Sequence, residues 1–338
     1  MAMTTFSDVI IPEVFSEYLM EPIREANALF ASGIVKYDAL LASKLDFGGD
    51  DFTFPYWGAL SATGLEAPTE STEGTINKIT SGTMRIPRIF RTYNVGSTQM
   101  ASILAGSNAM VAIQERVTEI WKDGLQNLLI NIAKGILGTA GGLAITEDVA
   151  AASGADAPDA TNLITKNAVI DAKALLGDKA GSFKAIVLHS KVKAELDKIQ
   201  AIQSVLLPGD VLPVEMFMNM RVIQDDNVPT VVRPDNTATT PVDYVAYYSL
   251  LIKEDGFRYG DSESGFRPVY IKESPELGMG VEVLYTKKML SLHPRGASWT
   301  PTGVTATKIE DADLALSTNW TYSFDPQESG FVALITNA

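Results

Sequence analysis

Histidine occurs twice in the 338 residues, at His189 and His293, and each stands beside groups that do chemistry in other settings. His189 is followed by Ser190. A serine and a histidine act as nucleophile and base when the imidazole reaches the hydroxyl and a carboxylate orients the ring. Neighbours on one chain seldom face each other that way, and Ser190 reads better as the cap of a following helix. His293 opens the phrase His293-Pro294-Arg295-Gly296, where a packing or interface role fits better than general-base work. Carboxylates pair at Asp50-Asp51, Asp225-Asp226 and Asp311/Asp313. A calcium loop needs several oxygen ligands at set spacings, with a glycine and a distal glutamate. Asp311-Ala312-Asp313-Leu314 has no such continuation, so these groups read as solvated turns and a helix start. A cation held by Asp225-Asp226 at a contact between chains is the lesser option. Gly135, Gly138, Gly141 and Gly142 follow a helical stretch, whereas a phosphate loop places its glycines before one. They read as a helix stop. The aromatic group Phe52, Phe54, Tyr56, Trp57 reads as a packed hairpin base before it reads as a ligand platform. No catalytic residue, cofactor or metal site is expected from these groups.

Composition narrows the classes further. The length suffices for two or three packed units. Apolar residues make up 46% and charged residues only 20%, a balance that suits a surface partly covered by partners. The net charge is −14, and Lys and Arg occur singly or in pairs such as Lys287-Lys288. That excludes a basic patch of the kind that neutralises phosphates in sequence-reading DNA binders. A container for DNA needs no such grip. With no cysteine, disulfide and thiolate-metal chemistry are excluded. The first residues lack the basic and apolar regions of a secretory signal. No apolar run approaches the ~20 residues of a membrane span. Asn319-Trp320-Thr321 matches a glycosylation acceptor but has no secretion route to use it.

Several elements are legible from periodicity. Residues 1–46 read as an arm running into a helix over 13–31, with Pro12 at its start, Pro22 as a kink and Gly33 as its stop. In residues 47–100, Phe52 and Phe54 alternate with Thr53 and Pro55, and residues 84–91 alternate again. Two strands joined by a long polar tip make an extended hairpin, with Pro87 on an edge. Residues 107–137 give the clearest helix, capped by Ser107 or Asn108. Its apolar stripe is Met110, Ile113, Val117, Ile120, Trp121, Leu125, Leu128, Ile132 and Ile136. At ~1.5 Å per residue it is a rod of about 45 Å, a length that suits a strut. Residues 145–161 read as a connection. Residues 161–261 read as a compact α/β unit: helices capped by Thr165 and Ser190, strands over 183–188 and 220–223, and a strand over 242–252 apolar on both faces. Val281, Val283 and Tyr285 line one face of a strand over 281–292, and residues 331–335 make a last one. The class is α+β.

The phrases Ile11-Pro12-Glu13-Val14-Phe15, Phe54-Pro55-Tyr56-Trp57, His189-Ser190, His293-Pro294-Arg295-Gly296 and Asn319-Trp320 occur in an order and spacing that resemble the major capsid (coat) proteins of tailed phages of the Hong Kong 97 type. Ala28-Leu29-Phe30, Ser32-Gly33-Ile34-Val35, Ile170-Asp171-Ala172-Lys173, Leu176-Gly177-Asp178 and Trp299-Thr300 add to the match, which spans nearly the whole chain. The resemblance implies the Hong Kong 97-type capsid fold. Residues 1–46 would be the N-terminal arm and 47–100 the extended β-hairpin loop reaching over an adjacent subunit. Residues 101–160 would carry the spine helix of the peripheral domain, 161–261 the axial domain and 262–300 the return to the peripheral domain. Residues 301–338 would be a C-terminal segment with the final strand. It implies no enzyme activity and no cofactor, but self-assembly into hexamers and pentamers of an icosahedral bacteriophage head that encloses double-stranded DNA without reading its sequence. The expected place is the virion, after assembly in the host bacterial cytoplasm, with no membrane. Scaffolding, portal and decoration proteins are further partners, scaffolding being expected from a separate protein or a removed piece because the arm opens the sequence. Some relatives join subunits covalently through a lysine and an asparagine; the resemblance places no matching pair here, and no cross-link is predicted. Residues expected at subunit contacts or in structural roles are Phe54, Trp57, Arg85, Arg88, Trp121, His293, Arg295, Trp299 and Trp320. A nanocompartment shell of the encapsulin kind is the alternative, and an α/β enzyme the remote one.

Overall fold

The computed structural model describes residues 32–49, 51–58, 60, 76–99, 109–137, 145–151, 158–179, 183–206, 213–234, 243–275, 280–302, 309–323, 327 and 330–338. The expected helix over 13–31, the caps Ser107 and Asn108, Gly138, Gly141, Gly142 and most of the polar hairpin tip lie outside them. Two sheets carry the chain. The first centres on β14 (Val281–Pro294), which at 14 residues is long enough to pair with three strands. Its second half pairs with β12 (Phe257–Ser262) and its first half with β13 (Val269–Ser274), while β4 (Ile89–Thr98) runs along its other side. The short β1 (Val35–Tyr37) adds in parallel to β12. Next to β1, helix α1 (Ala39–Leu45) is capped by the Asp38 carboxylate and buries Leu41 and Leu45.

The second sheet centres on β11 (Tyr244–Lys253), buried along nearly its whole length as its two-faced apolar pattern requires. Beside it run β17 (Phe331–Thr336), β6 (Phe183–Leu188) and β10 (Thr230–Arg233), with β9 (Met220–Gln224), β8 (Val214–Phe217) and β7 (Gln203–Val205) beyond β6. Its outer strand is β5 (Ile145–Asp148), parallel to β17. Residues 145–161, expected as a connection, thus contain a strand. Its partner lies about 190 residues away, and no local pattern announces such pairing. Conversely β12, at the end of the expected α/β unit, belongs to the β14 sheet.

Helix α2 (Ala109–Leu137) has 29 residues and spans the stripe read from its period. Val117, Trp121, Leu125, Leu128, Ile132 and Ile136 are buried, whereas Ile120 is exposed. Toward its C-terminal end Leu129, Ile130 and Ala133 are buried as well. There helix α5 (Asp311–Leu314) and the turn after it press on a second side, so a one-sided stripe is no longer needed. No helix among the described residues is long and apolar enough to cross a membrane.

Two local readings need correction. The expected strand over 84–91 is two strands, β3 (Ser81–Pro87) and β4, in different sheets. Pro87 has no amide to extend a ladder, and Arg88 turns inward to donate to the carbonyl oxygens of Phe47 and Lys44. Helix α3 (Lys166–Ala174) is capped by Thr165 as expected, but α4 (Ser190–Lys198) is capped by His189, whose ring nitrogen accepts the Lys191 N–H. On β14 Val281, Val283 and Tyr285 share one face, as expected, and are half-buried, while Glu282, Leu284 and Thr286 make the buried face. Buried polar groups on that face are tolerated because they are bonded. Trp121 donates its indole N–H to Thr286 at 3.1 Å, and Thr286 donates to the Tyr93 carbonyl at 2.7 Å.

Candidate functional site

The strand alternation of residues 51–57 and 81–87 builds a two-stranded ribbon. Strand β2 (Asp51–Trp57) pairs antiparallel with β3, Asp51 opposite Pro87 and Trp57 opposite Ser81. Both strands are edges, where Pro55 and Pro87 are tolerated. The root of this hairpin is bound to the body. The Arg85 amide donates to Ser298 Oγ at 3.0 Å, on β15 (Ala297–Trp299). The Tyr56 hydroxyl donates to the Ser323 carbonyl at 2.8 Å, and Ser291 donates to the Pro87 carbonyl at 3.0 Å. Gly82 leaves room for the Tyr56 ring, because any Cβ there would stand 2.6 Å from it. The aromatic residues therefore pack as a hairpin base: Phe52 meets Phe54 edge-on at 5.7 Å. Beyond the root nothing among the described residues covers the apolar side chains. Trp57 is 71% exposed, and Leu60, Ile76 and Ile79 are exposed too.

The residues expected at contacts divide into two groups. Trp57, Phe54, Arg85 and Arg295 reach the surface, Phe54 in part, and Arg85 pairs with Asp51. Trp121, Trp299, Trp320, Arg88 and His293 lie inside the subunit. Trp299 and Trp320 face each other across β15 and β16 (Trp320–Tyr322). Asn319, completely buried, donates to the Asp313 carbonyl and accepts the Thr302 amide, so the sequon at 319–321 is a structural element.

Beneath the hairpin root lies a cavity of about 330 Å³. Leu41, Phe54, Met84 and Ile86 give it an apolar wall, and Asp38, Arg258, His293 and Arg295 a polar one. His293 is 3% exposed, and neither ring nitrogen has a hydrogen-bond partner among the described residues. Burial, reinforced by the Arg258 charge, pushes its pKa down to about 3, so the ring is neutral at ordinary pH. Arg258 pairs with Asp38 at 2.9 Å. Sequence reading reached His293 and Arg295 but missed Leu41, Met84 and Arg258. Nothing local marks them, since they meet only through pairing between distant strands.

Around His189 the arrangement is not a catalytic triad. Ser190 Oγ lies 3.4 Å, the Lys191 amide 3.2 Å and Asp226 Oδ1 3.7 Å from the same ring atom, Nδ1. A triad needs the hydroxyl on one nitrogen and the carboxylate on the other. The Ser190 hydroxyl and amide, with a smaller effect from His189, hold the Asp226 carboxyl below its usual range. Asp225 is not a solvated turn residue, as its sequence context suggested. It is 6% exposed and accepts from Asn227 N–H at 2.8 Å and from Gln126 Nε2. Among the described residues no cluster of three or more His, Asp or Glu is placed to hold a metal ion. Asp311 pairs with Arg91, and Asp313 closes a capping box with Glu310 on α5.

The chain is 28% identical over 332 residues to the major capsid protein of Bacillus phage SPP1, covering 97% of this chain and 96% of that protein. No family model matches it. The solved capsid of Ralstonia phage GP4 superposes with a TM-score of 0.54 at 10% identity, over 91% of this chain and 88% of that one. This chain has the fold of a phage capsid protein. The capsid of the native GTA particle gives a TM-score of 0.53 at 10% identity, over 93% and 91% of the two chains.

Proposed function

We propose that this chain is the major capsid protein of a tailed phage of the Hong Kong 97 type, and that its copies associate as hexamers and pentamers into an icosahedral head around double-stranded DNA. The observation that carries this reading is the similarity to a phage major capsid protein along the whole chain. The hairpin supports it. A two-stranded ribbon is marginal in water by itself, and exposed Trp57 supplies the rigid aromatic anchor that dominates interfaces. In this reading residues 1–46 are the arm, 47–100 the loop over a neighbour, 101–160 and 262–300 the peripheral domain, 161–261 the core of the axial domain, and 301–338 a C-terminal segment whose β17 completes the β11 sheet. The acidic balance, 41 carboxylates against 27 Lys and Arg, suits a wall that contains DNA without adhering to it. Scaffolding, portal and decoration proteins complete the expected partners.

Electron microscopy of the expressed protein, alone and with a cognate scaffold, tests the proposal. Closed shells or capsomers are expected, and packaged particles should hold DNA. A monomer at high concentration that never forms particles overturns it, and particles filled with a cargo enzyme point to a nanocompartment.

A further inference from the structure

The chain enters the hairpin shortly after α1 and leaves it at Pro87, and Asp51 and Pro87 form its first pair. Arg88 then stands alone between two sheets, because Pro87 ends β3 and Ile89 begins β4. Its guanidinium reaches back to the entry side and donates to the carbonyl oxygens of Lys44 and Phe47, in and just after the last turn of α1. It thereby joins the segment before β2 to the residue after β3. Arg88 is 8% exposed, and among the described residues no carboxylate pairs with it and its Nε has no partner. Burying a charge without an anion is costly, and an apolar side chain of similar length would fill the space at lower cost. What the guanidinium adds is direction: its rigid fork fixes the angle between the two segments that it bonds. Three neutral bonds carry the attachment outward, from Ser291 to the Pro87 carbonyl, from the Arg85 amide to Ser298 and from Tyr56 to the Ser323 carbonyl.

We propose that Arg88 is a positioning residue for assembly: it sets, inside the single subunit, the direction in which the hairpin leaves the body. Charge-assisted bonds are roughly twice as strong as neutral ones, and burial strengthens them further. The clasp therefore outweighs any one of the three outer attachments. A hairpin aimed in advance loses less freedom when it meets another copy, and it delivers exposed Trp57 to a fixed place. The consequence for assembly rests on the reading of the chain as shell-forming, whereas the fixed direction belongs to the subunit by itself.

The test is a distance between two spin labels in the unassembled protein. The chain has no cysteine, so Ser81→Cys on the hairpin and Lys272→Cys on β13, both exposed, are the only positions labelled. Double electron–electron resonance should give one narrow distance peak when Arg88 is kept, and a peak at least about twofold broader with Arg88→Met. The unfolding midpoint should change little, because methionine fills the space and removes the buried charge. A merely structural role would do the reverse, moving the midpoint and leaving the width. Arg88→Gln takes the place of the methionine variant if that chain does not fold. A broad peak with Arg88 in place, or an unchanged width without it, overturns the clasp. Under conditions where wild type assembles, Arg88→Met should give at least about threefold fewer closed shells, and equal yields overturn its role in assembly. Wild-type protein that forms no particles removes the shell reading instead, and the peak widths still decide whether Arg88 fixes the hairpin.

Discussion

Trp299 meets Trp320 edge-on, ring centroids 5.0 Å apart and planes inclined at 68°. The pair is 1% and 2% exposed and sits where β15, β16 and the end of α2 converge. Trp320 also donates its indole N–H to the Leu314 carbonyl at 2.9 Å. Replacing Trp320 with alanine removes the packing, leaves a cavity and orphans that carbonyl. A loss of about 3–5 kcal/mol is expected in urea unfolding of the unassembled protein. A cost below about 1 kcal/mol would mean that the pair does not anchor this end of the molecule.

Two glycines of α2 should respond in opposite directions to the same substitution. Gly124 has open space around it, so Gly124→Ala should stabilise by about 0.5–1 kcal/mol through helix propensity. At Gly135 a methyl group would run into the Leu314 carbonyl oxygen and stand 2.6 Å from the Trp320 indole nitrogen. Gly135→Ala should therefore destabilise by about 1–3 kcal/mol despite its better propensity. Thermal unfolding of the two variants side by side checks the contrast.

His293 should make the protein acid-sensitive. Its native pKa is pushed down to about 3, from 6.5, by burial and by Arg258. Between those values the unfolded chain binds a proton that the native chain refuses, so stability rises with pH. The contribution is fully present above pH 6.5 and is lost as pH falls toward 3, with a slope of up to about 1.4 kcal/mol per pH unit. Denaturant midpoints from pH 7 to pH 4.5 should show that slope in wild type and a shallower one in His293→Gln. Equal slopes would place the acid sensitivity elsewhere.

Trp57 separates folding from assembly. It is 71% exposed, so Trp57→Ala should move unfolding stability by no more than about 0.5 kcal/mol. If the hairpin lies against a neighbour, the same change should remove a contact of about 2 kcal/mol or more at every interface, and shell yield should fall sharply. Sedimentation of the variant beside wild type decides. A variant that assembles normally would place the shell contacts away from the hairpin.

Local geometry fixed what the sequence could reveal without help. The 3.6-residue stripe from Val117 to Ile136 defines α2, alternation about Phe52 and Phe54 defines β2, and the two-faced apolar run defines β11, because each pattern is set by residues a few positions apart. Thr165 was legible as a cap for the same reason. Other features depend on partners far along the chain. Only the fold decides that β5 pairs with β17, that the chain changes sheets at Arg88, and that Thr286 rather than Tyr285 faces Trp121. Only the fold turns Trp121, Trp299 and Trp320 inward and leaves Trp57 outside, although as residue types they are the same. A side chain's identity sets what it gains from burial, and the neighbours brought to it by tertiary pairing decide whether it is buried.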